Sequence, residues 1–499
     1  MMRIAVLGGE VRRRSFLGSL SKPAYVALGV AAAGAFVFWI GVRGVGGGVA
    51  GVVLFGGTWA LVHPWSGRRS LVENWLWTLR WTLRLRAGHT TYVATGARAM
   101  PDGDATGPLW ELPVPLGRVE PLPLKDTGYD DLFVLHHHNP GERPYLSVVL
   151  EVQGQAAGLR SEHSYDTTSI RYGVLLAQLG KQGSFIRGLQ QINRILPHDP
   201  ALHRAFVASR VSTRPGLSAL VESYEDLVEG TALVAEQHRN YLVARFPLTL
   251  EFFEEARPFG TGVVGWAGLV REELARLADL ASRAELSRPL VLGEQRTCAV
   301  LRSLQDPSWP IDRHEGARWD NCWQSYVTEA EQLLVNGRWY TRTAVLPRDG
   351  IAPAPLGPRW LAPLLTSVSP SVIRTLSVRM EFVPDKTARA RAVKDVTQDS
   401  ASMLGDAKSG SIDDGTDSVL LSASQRRLRD LAPGSGHQGV DWSMAISVTA
   451  ADPAELRRAC MRVANEAAGS AITDLVWQDA AHDLAVLSTY PLARGMAVA

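Results

Sequence analysis

Residues 23–42 contain no charged side chain, and residues 45–65 contain one ionisable group, His63. As helices rising about 1.5 Å per residue, both runs reach the roughly 30 Å of a bilayer's hydrocarbon core. Only Arg43 and Gly44 separate them, too little for a translocated loop, so the pair predicts a tight helical hairpin. Its glycines, Gly46, Gly47, Gly48, Gly51, Gly56 and Gly57, weaken a helix in water but let two helices approach closely in lipid.

Charge follows the same division. Residues 1–86 hold 11 Arg or Lys against two acids, while the other 413 residues hold 41 against 48. Arg12, Arg13, Arg14 and Lys22 precede the apolar runs, and Arg68, Arg69, Arg80, Arg84 and Arg86 follow them. The positive-inside rule then predicts a multi-pass protein of the cytoplasmic membrane with both termini in the cytoplasm. Anionic lipid is the expected partner of the basic head. The acidic body lacks the cationic excess that a non-specific nucleic-acid sleeve uses against phosphate. Arg13-Arg14-Ser15-Phe16-Leu17 also has the look of a twin-arginine export signal. Its small-residue stretch at 31–35 falls inside the first apolar run, however, and a second run follows at once, which argues against export.

From residue 68 to 86 the period changes to that of an amphipathic helix. Leu71, Val72, Trp75, Leu76, Leu79 and Leu83 share one arc, and Arg69, Glu73, Arg80 and Arg84 a neighbouring one. Rings beside snorkelling cations suit a headgroup layer, so Arg68, Arg69, Trp75, Trp77, Arg80, Trp81 and Arg84 are the candidate membrane-interface residues. The plainer alternative is a surface helix of the soluble body.

The chain of 499 residues leaves ample length for a cored body after the hairpin. Cys298, Cys322 and Cys460 are far apart, which excludes a disulfide framework and a zinc ribbon and fits a reducing compartment. Forty-six arginines against six lysines, with many Ala and Gly, point to a GC-rich bacterial genome. Strands are predicted at 131–138, 145–152, 185–196, 241–248, 338–346, 372–383, 442–449 and 472–476. Helices are predicted at 166–179, 224–238, 265–286, 323–335, 386–404, 420–431 and 452–467, the last with Asp452 as N-cap and Pro453 at its first position. The resulting fold class is a membrane α-helical hairpin followed by a large cytosolic α+β region, sheets with helices on one face. Its parts are a hairpin (1–66), an interfacial helix (67–88), a first α+β domain (89–346), a Pro-rich connection (347–370) and a second α+β half with helical arms (371–499). A polar insert at 405–417 separates the arms.

The chemistry-bearing motifs are mostly missing. A phosphate-cradling loop needs Gly-x-x-x-x-Gly-Lys-Ser/Thr, and neither Lys386-Thr387 nor Lys408-Ser409 has the glycines. A P-loop ATPase is therefore excluded. In a strand His136 and His138 share one face, and a metal there needs a third ligand such as His163 or His198; a solvated strand end is the simpler reading. His314-Glu315 lacks the second histidine of a zincin, and no Gly-x-Ser-x-Gly elbow is present. Trp309, Trp319, Trp323, Trp339 and Trp360 with Arg313, Arg318, Arg338 and Arg359 could stack single-stranded bases, or simply pack. No catalytic residue, cofactor or metal ligand is predicted, and the chain reads as a non-enzyme.

Several short segments, in order, carry a family resemblance. They are Phe16-Leu17-Gly18, Leu71-Val72-Glu73-Asn74-Trp75, Trp360-Leu361-Ala362-Pro363-Leu364-Leu365, Arg374-Thr375-Leu376-Ser377-Val378 with Met380-Glu381, Thr449-Ala450-Ala451-Asp452-Pro453, and Tyr490-Pro491-Leu492-Ala493-Arg494-Gly495. Together with the two apolar runs, they make the chain resemble actinobacterial PrgI-like membrane proteins of conjugative elements. The resemblance implies a type IV secretion subunit of the inner membrane, joined to a body similar to the N-terminal domain of CagE/TrbE-type secretion ATPases without the motor domain. It further implies that a separate chain supplies the ATPase and that the protein assembles with other secretion subunits, including copies of itself. A membrane-tethered single-stranded nucleic-acid binder is the alternative function.

Overall fold

The computed structural model describes residues 5–7, 22–41, 45–63, 70–94, 111–153, 161–181, 183–197, 206–207, 209–210, 218–312, 314–347, 350–409 and 415–494. They form two compact units, residues 9–90 and residues 1–8 with 91–498.

The smaller unit holds α1 (Lys22–Gly41), α2 (Val45–Val62) and α3 (Leu71–Arg86). Small residues set the α1–α2 approach: a Cβ on Gly51 would meet the Ala35 carbonyl oxygen at 3.2 Å, and one on Gly34 would meet Leu54 at 3.1 Å. Ala31 is buried at this seam. Among the described residues no helix is long and apolar enough to cross a membrane. The side chains of 22–25, 38, 45 and 47, within α1 and α2, lie outside that set.

The larger unit is a mixed α+β fold built on one antiparallel sheet of 13 strands. Its elements in chain order are β1 (Ala5–Val6), β2 (Thr91–Tyr92), β3 (Val119–Pro121), β4 (Leu135–His137), β5 (Tyr145–Val152), α4 (Glu162–Leu179), β6 (Gly188–Pro197), α5 (Ser218–Val234) and β7 (Glu236–Pro247). Then come α6 (Leu250–Ala256), α7 (Val263–Arg283), β8 (Leu290–Val291), α8 (Glu294–Gln305), β9 (Tyr326–Thr328), β10 (Leu333–Val335), β11 (Trp339–Val345), β12 (Pro355–Leu356) and α9 (Ala362–Thr366). The last are β13 (Ile373–Val383), α10 (Asp385–Ser409), α11 (Thr416–Asp430), β14 (Gly439–Ala450), α12 (Pro453–Gly469), β15 (Val476–Trp477) and α13 (His482–Ala485). The strand order is β2-β9-β10-β11-β14-β13-β6-β7-β5-β4-β3, with β15 on β11 and β8 on β5; β1 and β12 form a separate ladder.

Six central strands repeat one topology. β5, α4, β6, α5 and β7 place their strands in the order β5-β7-β6, and β11, α9, β13, the α10–α11 arms and β14 place theirs as β11-β14-β13. The repeats meet where β6 pairs antiparallel with β13, Gly188 opposite Glu381 and Ile195 opposite Arg374. The segments on either side of the Pro-rich passage thus contribute to one continuous sheet, and β11, which precedes it, is the outer strand of the second repeat.

Both faces of the sheet are covered, which corrects the expectation of helices on one face. Alternation along β5 shows why: Leu146, Val148 and Leu150 pack with Leu269, Leu274 and Leu277 of α7, whereas Tyr145 and Val149 pack with Val300, Leu301 and Leu304 of α8. α12 covers β14 on the first face through Leu456, Cys460 and Val463. A segment after α13, with Leu487, Tyr490 and Leu492, joins α8 on the second.

The predicted helix at 323–335 is instead the β9–β10 hairpin. Asn336 and Gly337, with φ of 50° and 63°, turn the chain from β10 into β11, and Val335 pairs with Trp339. The polar insert at 405–417 begins inside α10, which runs to Ser409, and residues 410–414 lie outside the described ones. The expected strand at 472–476 is the two-residue β15, preceded by an isolated Ile351–Ile472 bridge.

Candidate functional site

α3 begins with a reciprocal capping box. The Ser70 hydroxyl accepts from the Glu73 amide at 3.2 Å, and the Ser70 amide donates to the Glu73 carboxylate at 2.9 Å. Glu73 in the first turn and Arg84 and Arg86 in the last complement the helix dipole. No α3 side chain is buried, and Trp75 is 63% exposed on the arc with Leu71, Leu76, Leu79 and Leu83. At 100° per residue Trp77, Arg80, Trp81 and Arg84 fall on the other side, where Trp77, Trp81 and Arg84 are half-buried and Arg80 is exposed. The candidate interface residues therefore divide, Trp75 with the leucines and the other two rings with the cations. Arg68 and Arg69 lie outside the described residues.

α1 and α2 present a different surface. Val26, Val30, Val37, Trp39, Ile40 and Val52 are each at least 60% exposed, and no charged residue occurs in either helix after Lys22. Trp59 stacks on His63 at 4.7 Å near the end of this pair.

Among the described residues of the larger unit, these tryptophans and arginines pack in separate places. Trp319 and Trp323 are buried edge to face in the core, Trp360 packs against Trp442 in another cluster, and Arg359 lies over Tyr165. Trp309 carries Arg302 and Trp339 carries Arg338, as isolated cation–π pairs. Arg313 lies outside the described residues. Lys386-Thr387 opens α10 directly after β13.

The histidine run splits by alternation. His137 is buried: its Nε2 lies 2.8 Å from the Ser147 hydroxyl and its ring stacks on Tyr145 at 4.2 Å. Burial holds its pKa well below the ordinary histidine value, with nearby Arg494 and Arg245 acting the same way. His136 and His138 point together to the opposite side, rings stacked at 4.8 Å, with the Glu120 carboxylate 3.9 Å from the Nδ1 of each. Among the described residues this is the one group of three or more His, Cys, Asp or Glu side chains arranged to hold a metal ion. His163 lies on α4 and is not part of this group, and His198 lies outside the described residues. Glu120 was not legible as a partner, because it arrives through the β3–β4 register, where it sits opposite His136. Burial lowers the pKa of His136, reinforced by His138 and opposed by Glu120.

In the larger unit the motifs behind the family resemblance serve the framework, whereas Phe16-Leu17-Gly18 lies outside the described residues. Gln190 on β6 donates to the Ser377 hydroxyl and the carbonyls of Ser488 and Tyr490, and accepts from the Ala493 amide at 2.7 Å. Arg494 donates to the carbonyls of Pro115 and Leu116, and the Tyr145 hydroxyl to that of Leu492. Tyr490-Pro491-Leu492-Ala493-Arg494 is thereby fastened across the sheet. The carbonyls of Leu364 and Leu365 hold buried Arg374, and the Asp452 carboxylate caps α12 by accepting from the Glu455 amide at 2.8 Å.

The chain matches no protein-family model, and no curated protein matches it.

Proposed function

We propose that this chain is a non-catalytic inner-membrane component of a conjugative, type IV secretion-like DNA transfer apparatus, in which α1 and α2 are a membrane hairpin and the sheet body is a cytoplasmic platform. The observation that carries the membrane part is the outer surface of α1 and α2, apolar on every described side. Thirteen large apolar side chains of the two helices are exposed. At about 1.5 kcal/mol or more for each one fully buried, discounted for partial burial, covering them with lipid is worth on the order of 10 kcal/mol. α3, with leucines on one arc and Arg80 on another, lies in the headgroup layer in this reading.

Both termini are cytoplasmic, anionic lipid meets the basic head, and the body docks a conjugation ATPase supplied by a separate chain, alongside other secretion subunits and further copies of this one. The missing Walker loop and the family resemblance support that assignment. Complexes solubilised from native membrane and captured through the full chain are expected to contain a secretion ATPase identified by mass. A clean membrane fraction without one would end the docking claim, and nucleotide hydrolysis by the purified chain alone would end the non-catalytic one.

A further inference from the structure

We propose that Glu120, His136 and His138 form a binding site for a divalent transition metal of the zinc class. Three residues converge: β3 sets Glu120 opposite His136 of β4, and His138, just past the end of β4, lies on the same side. Their ligating atoms all lie within 4.8 Å of one another. Bonds of about 2.0–2.2 Å at tetrahedral or octahedral angles require donors roughly 3.0–3.5 Å apart. Glu120, 63% exposed and 3.9 Å from each Nδ1, is free to swing inward and shorten its own two separations.

As an apo ion-pair cluster the arrangement is poorly satisfied. A separation of 3.9 Å to both rings is too long for a hydrogen bond, and His138 Nδ1 is buried with no hydrogen-bond partner. A shared cation would satisfy both Nδ1 atoms and the carboxylate at once. Trp266 stands edge-on to His136 at 6.0 Å and limits the tilt of that ring. Two imidazoles and one carboxylate favour zinc-class ions over calcium or magnesium, which prefer oxygen donors. The three cysteines are buried elsewhere and offer no competing exposed thiolate. Three protein ligands on an edge of the sheet leave a further position open to solvent.

The test uses the detergent-solubilised full chain titrated with Co²⁺, followed by its visible absorption, and with Zn²⁺ in competition. About one equivalent is expected, weakened about 10-fold or more in His136→Gln, His138→Gln and Glu120→Gln, and unchanged in His437→Gln, an exposed histidine elsewhere. Near-UV circular dichroism of the metal-free proteins monitors the fold; should a histidine variant fail to fold, the exposed Glu120→Gln decides. Absence of Co²⁺ and Zn²⁺ binding by the wild type, or binding that Glu120→Gln leaves undiminished, would overturn the proposal.

Discussion

Replacing Glu236 should destabilise the larger unit more than any surface ion-pair change, because of what it leaves behind. Arg374, on β13, is 1% exposed and uses all five of its N–H donors. Two meet the Glu236 carboxylate at 2.6 and 2.9 Å, and three meet the carbonyls of Leu364, Val372 and Leu365 at 3.0, 3.1 and 2.8 Å. Removing one partner of such a pair leaves a buried charge uncompensated, at about 3–5 kcal/mol. Titration supplies a second route to the magnitude. Burial alone would raise the Glu236 pKa, but the His238 ring 3.7 Å away, hydrogen bonds from Arg374 and Ser371 and the arginine's charge outweigh it and hold the carboxyl at about 2 instead of 4.5. A depression of that size contributes on the order of 3 kcal/mol at neutral pH. A lowered carboxylate pKa stabilises the fold above 4.5, and the contribution is lost as pH falls from there towards 2. Glu236→Gln should therefore unfold about 3 kcal/mol more easily at pH 7 in denaturant titrations followed by tryptophan fluorescence, with the gap to wild type narrowing below pH 4.5. Glu236→Leu combined with Arg374→Met should recover most of the loss. A cost under about 1 kcal/mol for Glu236→Gln, or a gap independent of pH, would refute the argument.

Gln190→Ala removes three hydrogen bonds that fasten the segment after α13 and a fourth to Ser377 on β13, and should cost about 1–3 kcal/mol, with earlier proteolytic cleavage near residues 486–494 in time courses. Gly51→Leu should force α1 and α2 apart, since even a Cβ reaches the Ala35 carbonyl oxygen at 3.2 Å; loss of cross-linking between cysteines placed on the two helices would show it. Burial raises the Cys460 thiol to about 12 and the Cys322 thiol well above its usual value, so both should resist a water-soluble thiol reagent at pH 8 until the protein is denatured.

Local periodicity made individual elements legible. Tyr145–Val152 and the Asp452–Pro453 start of α12 are read from strand alternation and capping chemistry alone. The error at 323–335 came from the helix-favouring Glu-Ala-Glu-Gln of 329–332, although Asn336-Gly337 already carried the hairpin signal. α8 went unread although Cys298, Leu301 and Leu304, all buried, recur at helical spacing in a stretch that also carries Glu294, Gln295, Arg296 and Arg302. The strand at 131–138 shrank to β4 because Tyr129 to Leu132 form a turn, the Leu132 amide donating to the Tyr129 carbonyl at 2.9 Å. The single sheet was hidden because it depends on β6 meeting β13, some 180 residues apart in sequence, and no local pattern encodes that register. Of the sites, the shared face of His136 and His138 was visible, whereas Glu120 became visible only through pairing.

The account turns on α1 and α2 being embedded in lipid as a tether for the sheet body. Alkaline carbonate extraction of membranes from cells expressing the full chain tests this directly. The protein is expected to stay in the pellet, as an integral protein does; its release into the supernatant with peripheral proteins would contradict the account.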